Sequence, residues 1–142
     1  MKIFLYYIGK PRDAHANAIA ADFVSRASRY TACEMREIHP DRAGRPDLWA
    51  KHPTARCVLL DPAGKALDTA AFVGLVSQAE MEGRDLVFVV GGADGLPADW
   101  RDRADVLLSL SRMTFPHELA RAMLAEQIYR AFATLRGHPY PR

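Results

Sequence analysis

The 142-residue chain has only two cysteines and no long apolar run. Cys33 and Cys57 lack the spacing of metal ligands or of a redox pair, which predicts two buried, reduced thiols. No stretch approaches the roughly 20 apolar residues of a membrane span, and the first apolar run is not followed by a small-residue cleavage site. These absences predict a soluble, cytoplasmic protein without a membrane partner.

The chain also lacks the short motifs of common catalytic and nucleotide-binding sites. It contains no P-loop, no nucleophile elbow and no G-x-G-x-x-G sequence. Five histidines are present, but their spacing is not that of metal ligands, so no metal site is predicted. They are His15, His39, His52, His117 and His138. With no internal repeat or low-complexity segment, residues 1–142 are predicted to form a single domain.

The net charge of +2 conceals an uneven distribution. Residues 66–105 carry eight acidic and three basic side chains, a net charge of −5. Residues 112–142 carry five arginines and two glutamates, a net charge of +3, and the segments 1–38 and 39–65 are each +2. The basic segments are suited to contact nucleic acid, and ordinary solvated charge is the alternative.

Apolar runs alternate with helical repeats along the chain. The runs predict strands at 2–8, 33–38, 56–61, 86–90 and 106–110. The repeats predict helices at 14–29, from 69 towards 83, at 97–104 and at 116–135, with caps at Asp13, Thr69 and Thr114. This alternation predicts an α/β fold with a mostly parallel sheet flanked by helices.

Ligands of such sheets bind beyond the carboxyl ends of the strands, and three ends are notable here. They are Leu60-Asp61, Gly91-Gly92 and the run from Leu110 to Phe115. The GGADG sequence after the fourth strand is also typical of a plain tight turn. The basic loop 39–56, with a helical turn at 47–51, is a candidate substrate-facing loop, or alternatively a mobile surface loop.

The helix predicted at 116–135 is apolar on two sides. Leu124, Ile128 and Phe132 share one face, and the opposite face carries Leu119, Ala122, Met123, Glu126, Arg130 and Ala133. A surface helix has one apolar stripe, so a helix with two is predicted to be buried on both sides. In so short a chain, the second side is expected to contact another subunit, with Glu126 and Arg130 paired at that interface.

Four segments resemble one known family. They are FVVGGADGLP (88–97), LSLSRMTFPHELAR (108–121), EQIYRA (126–131) and HPY (138–140). These sequences, in this order, are similar to those of the RlmH family of small SPOUT-class methyltransferases. The matching segments are concentrated in residues 56–140. It implies methylation of N3 of a pseudouridine in helix 69 of large-subunit ribosomal RNA, within the assembled ribosome.

The resemblance also implies a SPOUT-type α/β knot, which is a C-terminal trefoil knot that holds S-adenosylmethionine (AdoMet). By position, the cofactor pocket is formed by Leu60, Gly91, Leu110, Ser111, Arg112, Met113, Thr114 and Phe115. The family acts as a homodimer with its active site at the interface, which agrees with the two-sided helix. No metal is implied.

The chemistry that the resemblance implies needs positioning and a way to remove the N3 proton. An imide N–H titrates near a Tyr hydroxyl, at about 10, and neighbouring cations favour its anion. The candidate catalytic residues are His117, Arg121, Glu126, Arg130, Tyr140 and Arg142. Two alternatives stay open: Glu126 and Arg130 brace the dimer, and His117 is a structural first-turn residue.

The C-terminal tail departs from the family pattern. Family members usually end in Tyr-His followed by a basic residue, whereas this chain reads Tyr140-Pro141-Arg142. The absent histidine defines an alternative function, in which the chain is a ribosome-binding module of the same fold with impaired catalysis.

Overall fold

The computed structural model describes residues 1–42 and 47–140 of the chain. Strands and helices alternate along the described residues. In chain order they are β1 (Lys2–Ile8), α1 (Ala14–Ala27), β2 (Ala32–Ile38), α2 (Leu48–Lys51), β3 (Arg56–Ala66), α3 (Thr69–Met81), β4 (Leu86–Val90), α4 (Ala98–Arg103), β5 (Val106–Ser109) and α5 (His117–Leu135). No helix among these residues is long and apolar enough to cross a bilayer.

The strands form one sheet in the order β2-β1-β4-β3-β5. Every neighbouring pair is parallel, which confirms the predicted α/β architecture. The central strand β4 is buried at all five positions, as the continuous apolar run LVFVV predicts. Because all the strands run in one direction, their carboxyl ends lie along the same edge of the sheet.

Each strand contributes side chains to two cores, one on either face of the sheet. Leu5, Val58 and Phe88 pack with apolar residues of α1, α3 and α5. Val87 and Val89, which alternate with Phe88, pack on the other face with Trp100 of α4. Helices therefore cover both faces, and the loops at the carboxyl edge remain available for a site. The trefoil knot implied by the resemblance stays a prediction.

The cap at Asp13 is confirmed, and the caps predicted at Thr69 and Thr114 are wrong. The N-cap of α3 is Asp68, whose carboxylate accepts a backbone N–H of the first turn. The N-cap of α5 is Pro116, which makes no side-chain cap bond. Asp68 and Thr69 compete for the cap of α3, and Asp68 becomes the cap because it takes the extended backbone conformation.

Strand β3 is longer than predicted. It was expected to end at Asp61, but it continues to Ala66. Its pairing with β5 shifts because Leu60 and Lys65 both lie opposite Leu108. The residues between them bulge out of the ladder, which places Asp61 at the carboxyl edge.

Helix α5 is covered unevenly on its two sides. Leu124 and Phe132 are fully buried within the chain, as predicted for the first face. On the opposite face Ala133 is buried, whereas Leu119 is 42% exposed and Met123 is 40% exposed. The chain alone therefore leaves part of the second apolar stripe uncovered.

The two cysteines are free thiols. Cys57 is buried as predicted, but Cys33 is only half-buried, because β2 is an edge strand with one face towards solvent. Burial raises the pKa of Cys33 to about 12 and that of Cys57 to about 11. Both thiols are therefore protonated and unreactive at neutral pH.

Candidate active site

A pocket of about 360 Å³ lies beyond the carboxyl ends of β3, β4 and β5. Seven of the eight residues that the resemblance assigns to the cofactor line it: Leu60, Gly91, Leu110, Ser111, Met113, Thr114 and Phe115. Arg112, the eighth, is exposed on the same loop and is not among the lining residues. The structure thus brings the ends of three strands together around one cavity, and the cofactor assignment itself stays a prediction.

The GGADG sequence forms a tight turn that is also a wall of this pocket. Gly95 N donates to Gly92 O at 3.0 Å, which folds the turn back on itself. A Cβ at Gly91 would lie 2.8 Å from the carbonyl carbon of Gly95. A Cβ at Gly92 would lie 2.8 Å from the carbonyl oxygen of Ile8. Glycine is required at both positions because backbone occupies the space of a side chain.

The loop between β5 and α5 is held by hydrogen bonds of its serines. Ser109 Oγ donates to the carbonyl oxygen of Ser111 at 2.9 Å. Met113 N donates to Ser111 Oγ at 3.0 Å. Ser111, Met113 and Phe115 of this loop all line the pocket.

The pocket fits a ligand with a flat apolar part and a charged end. Its volume is within the roughly 300–1,000 Å³ of small-molecule sites. Leu60, Leu110 and Phe115 give it apolar walls, while Asp61 and Arg101 add one ion pair. AdoMet has an adenine ring and a charged methionine end, so the residues present fit that cofactor. Within the described residues, no cluster of three or more His, Cys, Asp or Glu side chains is arranged for a metal ion.

The structure separates His117 from Arg121. His117 lines the pocket, and its Nε2 would lie 4.0 Å from a Cβ built on Gly9. Arg121 is only 1% exposed, with its guanidinium carbon 3.7 Å from the centre of the Tyr7 ring. Its Nη2 donates to Asn17 Oδ1. Arg121 therefore faces the protein interior in this arrangement, although the sequence predicts a cation that faces substrate.

Glu118 links the first turn of α5 to the loop between β1 and α1. Its carboxylate accepts the backbone N–H of Arg12 at 2.7 Å and of Asp13 at 3.2 Å. It also accepts Asn17 Nδ2 at 2.8 Å and pairs with Arg121 at 3.4 Å. The hydrogen bond from Arg12, followed by that from Asn17, lowers the pKa of Glu118 to about 2.

This pKa predicts a pH-dependent contribution to stability. The folded-state pKa lies below the ordinary value of 4.5, so the stabilisation is complete above 4.5 and is lost as pH falls towards 2. We expect Glu118→Gln to lower the free energy of unfolding by about 2 kcal/mol at pH 7. The deficit relative to wild type should shrink between pH 4.5 and pH 2, as followed by urea denaturation.

The control for this experiment is Glu34→Gln, which removes a carboxylate from an exposed pair with Arg36. Exposed pairs contribute little to stability, so this variant should follow the wild-type curve. A deficit in Glu118→Gln that stays constant from neutral pH down to the folded-state pKa would contradict the prediction.

Three further candidate catalytic residues form a second cluster. Arg130 Nη2 lies 2.7 Å from Glu126 Oε2, and the Tyr140 hydroxyl donates to the same oxygen at 2.8 Å. The Arg130 guanidinium carbon lies 4.7 Å from the centre of the Tyr140 ring. Arg142, the remaining candidate, lies outside the described residues.

The surroundings of this cluster fix its protonation at neutral pH. The Tyr140 ring packs edge-on against Tyr129 at 4.8 Å, and Arg26 stacks on both rings. Burial, followed by the hydrogen bond to Glu126, raises the pKa of Tyr140. The hydrogen bond to Glu126 also raises the pKa of Arg130. Tyr140 therefore stays a neutral donor and Arg130 stays a cation.

The pocket and the second cluster lie on different sides of α5. His117 and Glu126 are nine residues apart, which separates them by about 13.5 Å along the helix and points their side chains about 180° apart around its axis. Glu126 instead lines a second cavity of about 560 Å³, together with Thr69 and Met123. The two cavities share Leu108 and Leu110 in their walls. Within one chain, the Glu126 cluster therefore lines a cavity beside the pocket of the predicted cofactor residues, and Leu110 belongs to both walls.

Sequence reasoning did not identify several residues of these sites. Glu118 and Asn17 contact each other across 101 positions, and Asp61 pairs with Arg101 from a different element, so no local spacing predicts either contact. The position of Asp61 at a strand end was the one available signal.

A parallel sheet with a pocket at its carboxyl edge is the arrangement found in many α/β enzymes that use nucleotide cofactors. A family model described as "Predicted SPOUT methyltransferase" matches residues 1–141. The chain belongs to this SPOUT methyltransferase family, which confirms the class named from the sequence.

Two full-length relatives of the chain carry the same name. A protein of Solibacter usitatus (strain Ellin6076) named "Ribosomal RNA large subunit methyltransferase H" is 70% identical over 142 residues, covering 100% of both chains. A protein of the same name from Chromobacterium violaceum is 39% identical over 155 residues, covering 100% of this chain and 99% of the relative. These full-length matches confirm the resemblance to the RlmH family.

Solved structures share the fold at low sequence identity. A probable methylase family protein from Haemophilus influenzae Rd KW20 matches with a TM-score of 0.62 at 9% identity, covering 99% of this chain and 70% of that one. A probable methyltransferase from Bordetella pertussis Tohama I matches with a TM-score of 0.60 at 12% identity, covering 92% and 94%. These matches support the architecture and not the substrate.

Proposed function

We propose that this chain is a single-domain, AdoMet-dependent methyltransferase that acts on N3 of a pseudouridine in helix 69 of large-subunit ribosomal RNA. One observation carries the proposal: seven residues that the resemblance assigns to the cofactor line one pocket. Its relatives are named as large-subunit ribosomal RNA methyltransferases, which supports the substrate class. The proposed substrate is the assembled ribosome, and the proposed compartment is therefore the cytoplasm.

The residues of the pocket are proposed to hold and enclose the cofactor. When bound, AdoMet supplies an electrophilic methyl group on a sulfonium. Leu60, Leu110 and Phe115 exclude water from this end of the site, and Gly91 permits close approach of backbone. His117 borders the same cavity from the first turn of α5.

The second cluster is proposed to prepare the nucleotide. Arg130 stays charged, and a nearby cation lowers the pKa of an imide N–H, so the N3 proton can pass to water without a strong base. Tyr140 keeps its proton and donates a hydrogen bond to Glu126, which makes it a positioning group rather than a general base. Oε2 of Glu126 accepts from both partners, and Arg130 Nε also contacts Oε1 at 3.4 Å.

The test of the function is transfer of labelled methyl from AdoMet to ribosomes that lack this modification. Mass spectrometry then locates the modified nucleotide. We expect one methyl group, on N3 of the helix 69 pseudouridine, and no transfer to protein-free RNA. Methylation at a different nucleotide, or no binding of AdoMet with or without ribosomes, would overturn the proposal.

The tail supports a second candidate function. Pro141 stands where the family usually has histidine, so the chain is alternatively a ribosome-binding module with impaired catalysis. An inactive wild type that binds AdoMet, together with an active Pro141→His variant, would favour this alternative. Methyl transfer by the wild type rejects it.

A homodimer is the proposed functional unit, and its interface is proposed to include the uncovered side of α5. Leu119 and Met123 are exposed there beside Glu126 and the 560 Å³ cavity. A partner that covers this face brings its own residues to the Glu126 cluster. Such an arrangement completes a catalytic cluster that, within one chain, lies in a cavity beside the proposed cofactor pocket.

This proposal predicts the behaviour of Met123→Glu. A charge in an apolar interface is costly to desolvate, so the variant is expected to sediment as a monomer and to lose methyl transfer. Met81→Glu is the matched control, because Met81 is 78% exposed at the end of α3 and is expected to leave the dimer intact. Analytical ultracentrifugation measures the oligomeric state of each protein. A wild type that is monomeric at assay concentration would refute the dimer.

A further inference from the structure

An ion pair forms part of the wall of the cofactor pocket and is not used by the proposed mechanism. Arg101 Nε lies 2.8 Å from Asp61 Oδ2, and both side chains line the cavity. The Asp61 side chain is 7% exposed, whereas that of Arg101 is 51% exposed. Asp61 is thus a nearly buried carboxylate in the pocket wall. Arg101 pairs with this carboxylate from the solvent side.

The pair has little value as a stabilising device. Partly exposed ion pairs contribute little to stability, and burying a carboxylate costs free energy that its partner only offsets. Asp61 Oδ1 also accepts the backbone N–H of Ala63 at 2.9 Å, which shapes the bulge after Leu60. That bond needs an acceptor but no charge. Neither role explains why position 61 is charged. Because Asp61 lies in the pocket wall, its charge is available to bind a ligand.

The remaining walls are mostly apolar, and their composition narrows the choice of ligand group. Leu60, Val90, Leu96, Leu110 and Phe115 suit a flat ring or an aliphatic chain. An α-amino acid offers a carboxylate and an ammonium on one carbon. A guanidinium is the preferred partner of a carboxylate, and a carboxylate is the preferred partner of an ammonium.

We infer that Asp61 and Arg101 bind the α-amino-acid end of the cofactor, with Asp61 pairing its ammonium and Arg101 pairing its carboxylate. The inference rests on the proposed function, because it takes AdoMet as the ligand. Without ligand the two charges neutralise each other, so no buried carboxylate is left unpaired. With ligand, each side chain has an opposite charge to bind. Arg101 thereby gives helix α4 a role in binding the cofactor.

Two ligands that differ only at this end test the inference. S-adenosylhomocysteine and 5′-methylthioadenosine share the adenosine and the thioether, but only the first has the amino-acid end. Binding of each to the full-length chain is measured by calorimetry, with competition titration for the weaker ligand. We expect Asp61→Asn and Arg101→Met to lower the affinity for S-adenosylhomocysteine about tenfold or more. The affinity for methylthioadenosine should change by less than about twofold.

The variants are chosen to leave the pocket intact. Asp61→Asn retains the bond to Ala63, because an amide oxygen accepts that N–H as a carboxylate does. Arg101→Met keeps most of the apolar stem of arginine. The matched control is Arg103→Met on the same helix, which breaks a 3.0 Å ion pair with Asp47 away from the cavity. It is expected to bind both ligands like the wild type.

Equal losses of affinity for both ligands would show that the ion pair only shapes the pocket. Unchanged affinities would show that the ion pair has no part in binding. Either result overturns the inference and leaves the proposed function standing. A wild-type chain that binds neither ligand nor AdoMet, alone or with ribosomes, rejects the proposed function itself. The two failures are therefore distinguishable.

Discussion

Replacing Arg130 with methionine is expected to lower kcat for methyl transfer by about 100-fold or more, because one preorganised charge at a reacting centre is worth about that factor. The affinity for AdoMet should change by less than about twofold, since Arg130 is not among the residues that line the proposed cofactor pocket. Radiolabelled methyl transfer to ribosomes measures the first quantity, and calorimetry measures the second.

The charge and the shape of Arg130 can be tested separately. Arg130→Lys keeps the cation but loses the planar guanidinium that lies between Glu126 and the Tyr140 ring. We expect it to recover part of the lost rate, because a cation that favours the N3 anion is retained. Arg136→Met is the matched control, as it breaks an ion pair with Glu80 just after the same helix. This variant should keep a normal kcat.

The competing interpretation is that Glu126 and Arg130 only brace the dimer. In that case Arg130→Met raises the dissociation constant of the dimer, and activity per subunit recovers as protein concentration increases. The catalytic interpretation instead requires a low kcat at concentrations where ultracentrifugation shows only dimer. Full recovery at high concentration would therefore count against a role for Arg130 in the reaction.

The sequence predicts those parts of the fold that are determined by neighbouring residues in the chain. The run LVFVV at 86–90 has the bounds of β4 itself, because a central parallel strand is apolar at every position. Asp13 caps α1 as predicted, since a single carboxylate precedes the helical repeat. The cap of α3 was misplaced by one residue because Asp68 and Thr69 are both good caps, and only tertiary structure decides between them.

The sites depended on contacts that no local pattern records. Arg121 was predicted to be a cation near the substrate, as one of the candidate residues that the resemblance implies. It is buried because Tyr7 and Asn17 receive its guanidinium and Glu118 balances its charge. Those contacts exist only after β1 and α1 have packed against α5. Seven of the eight residues that the resemblance assigns to the cofactor line one pocket, but the resemblance did not indicate the pair of Asp61 and Arg101.

The second large effect is expected from Gly91→Ala. The added Cβ would stand 2.8 Å from the carbonyl carbon of Gly95 and 3.1 Å from its Cα. Both contacts are with backbone, so the turn that walls the pocket must move and cannot be relieved by a rotamer change. Because shape is lost where the cofactor is proposed to bind, we expect AdoMet affinity to fall about 100-fold, which corresponds to the loss of about 2.7 kcal/mol of binding free energy.

Gly74→Ala separates this effect from a general response to losing a glycine. Gly74 lies within α3, and a Cβ there would meet nothing within 4 Å. Alanine in a helix interior is about 0.5–1 kcal/mol more stable than glycine, so this variant should melt at a higher temperature and bind AdoMet normally. Calorimetric titration and thermal unfolding are measured on both proteins. If Gly91→Ala binds AdoMet as tightly as Gly74→Ala does, the turn after β4 is not a wall of the cofactor site. If it binds weakly while remaining folded, backbone approach at Gly91 is a requirement of binding rather than of folding.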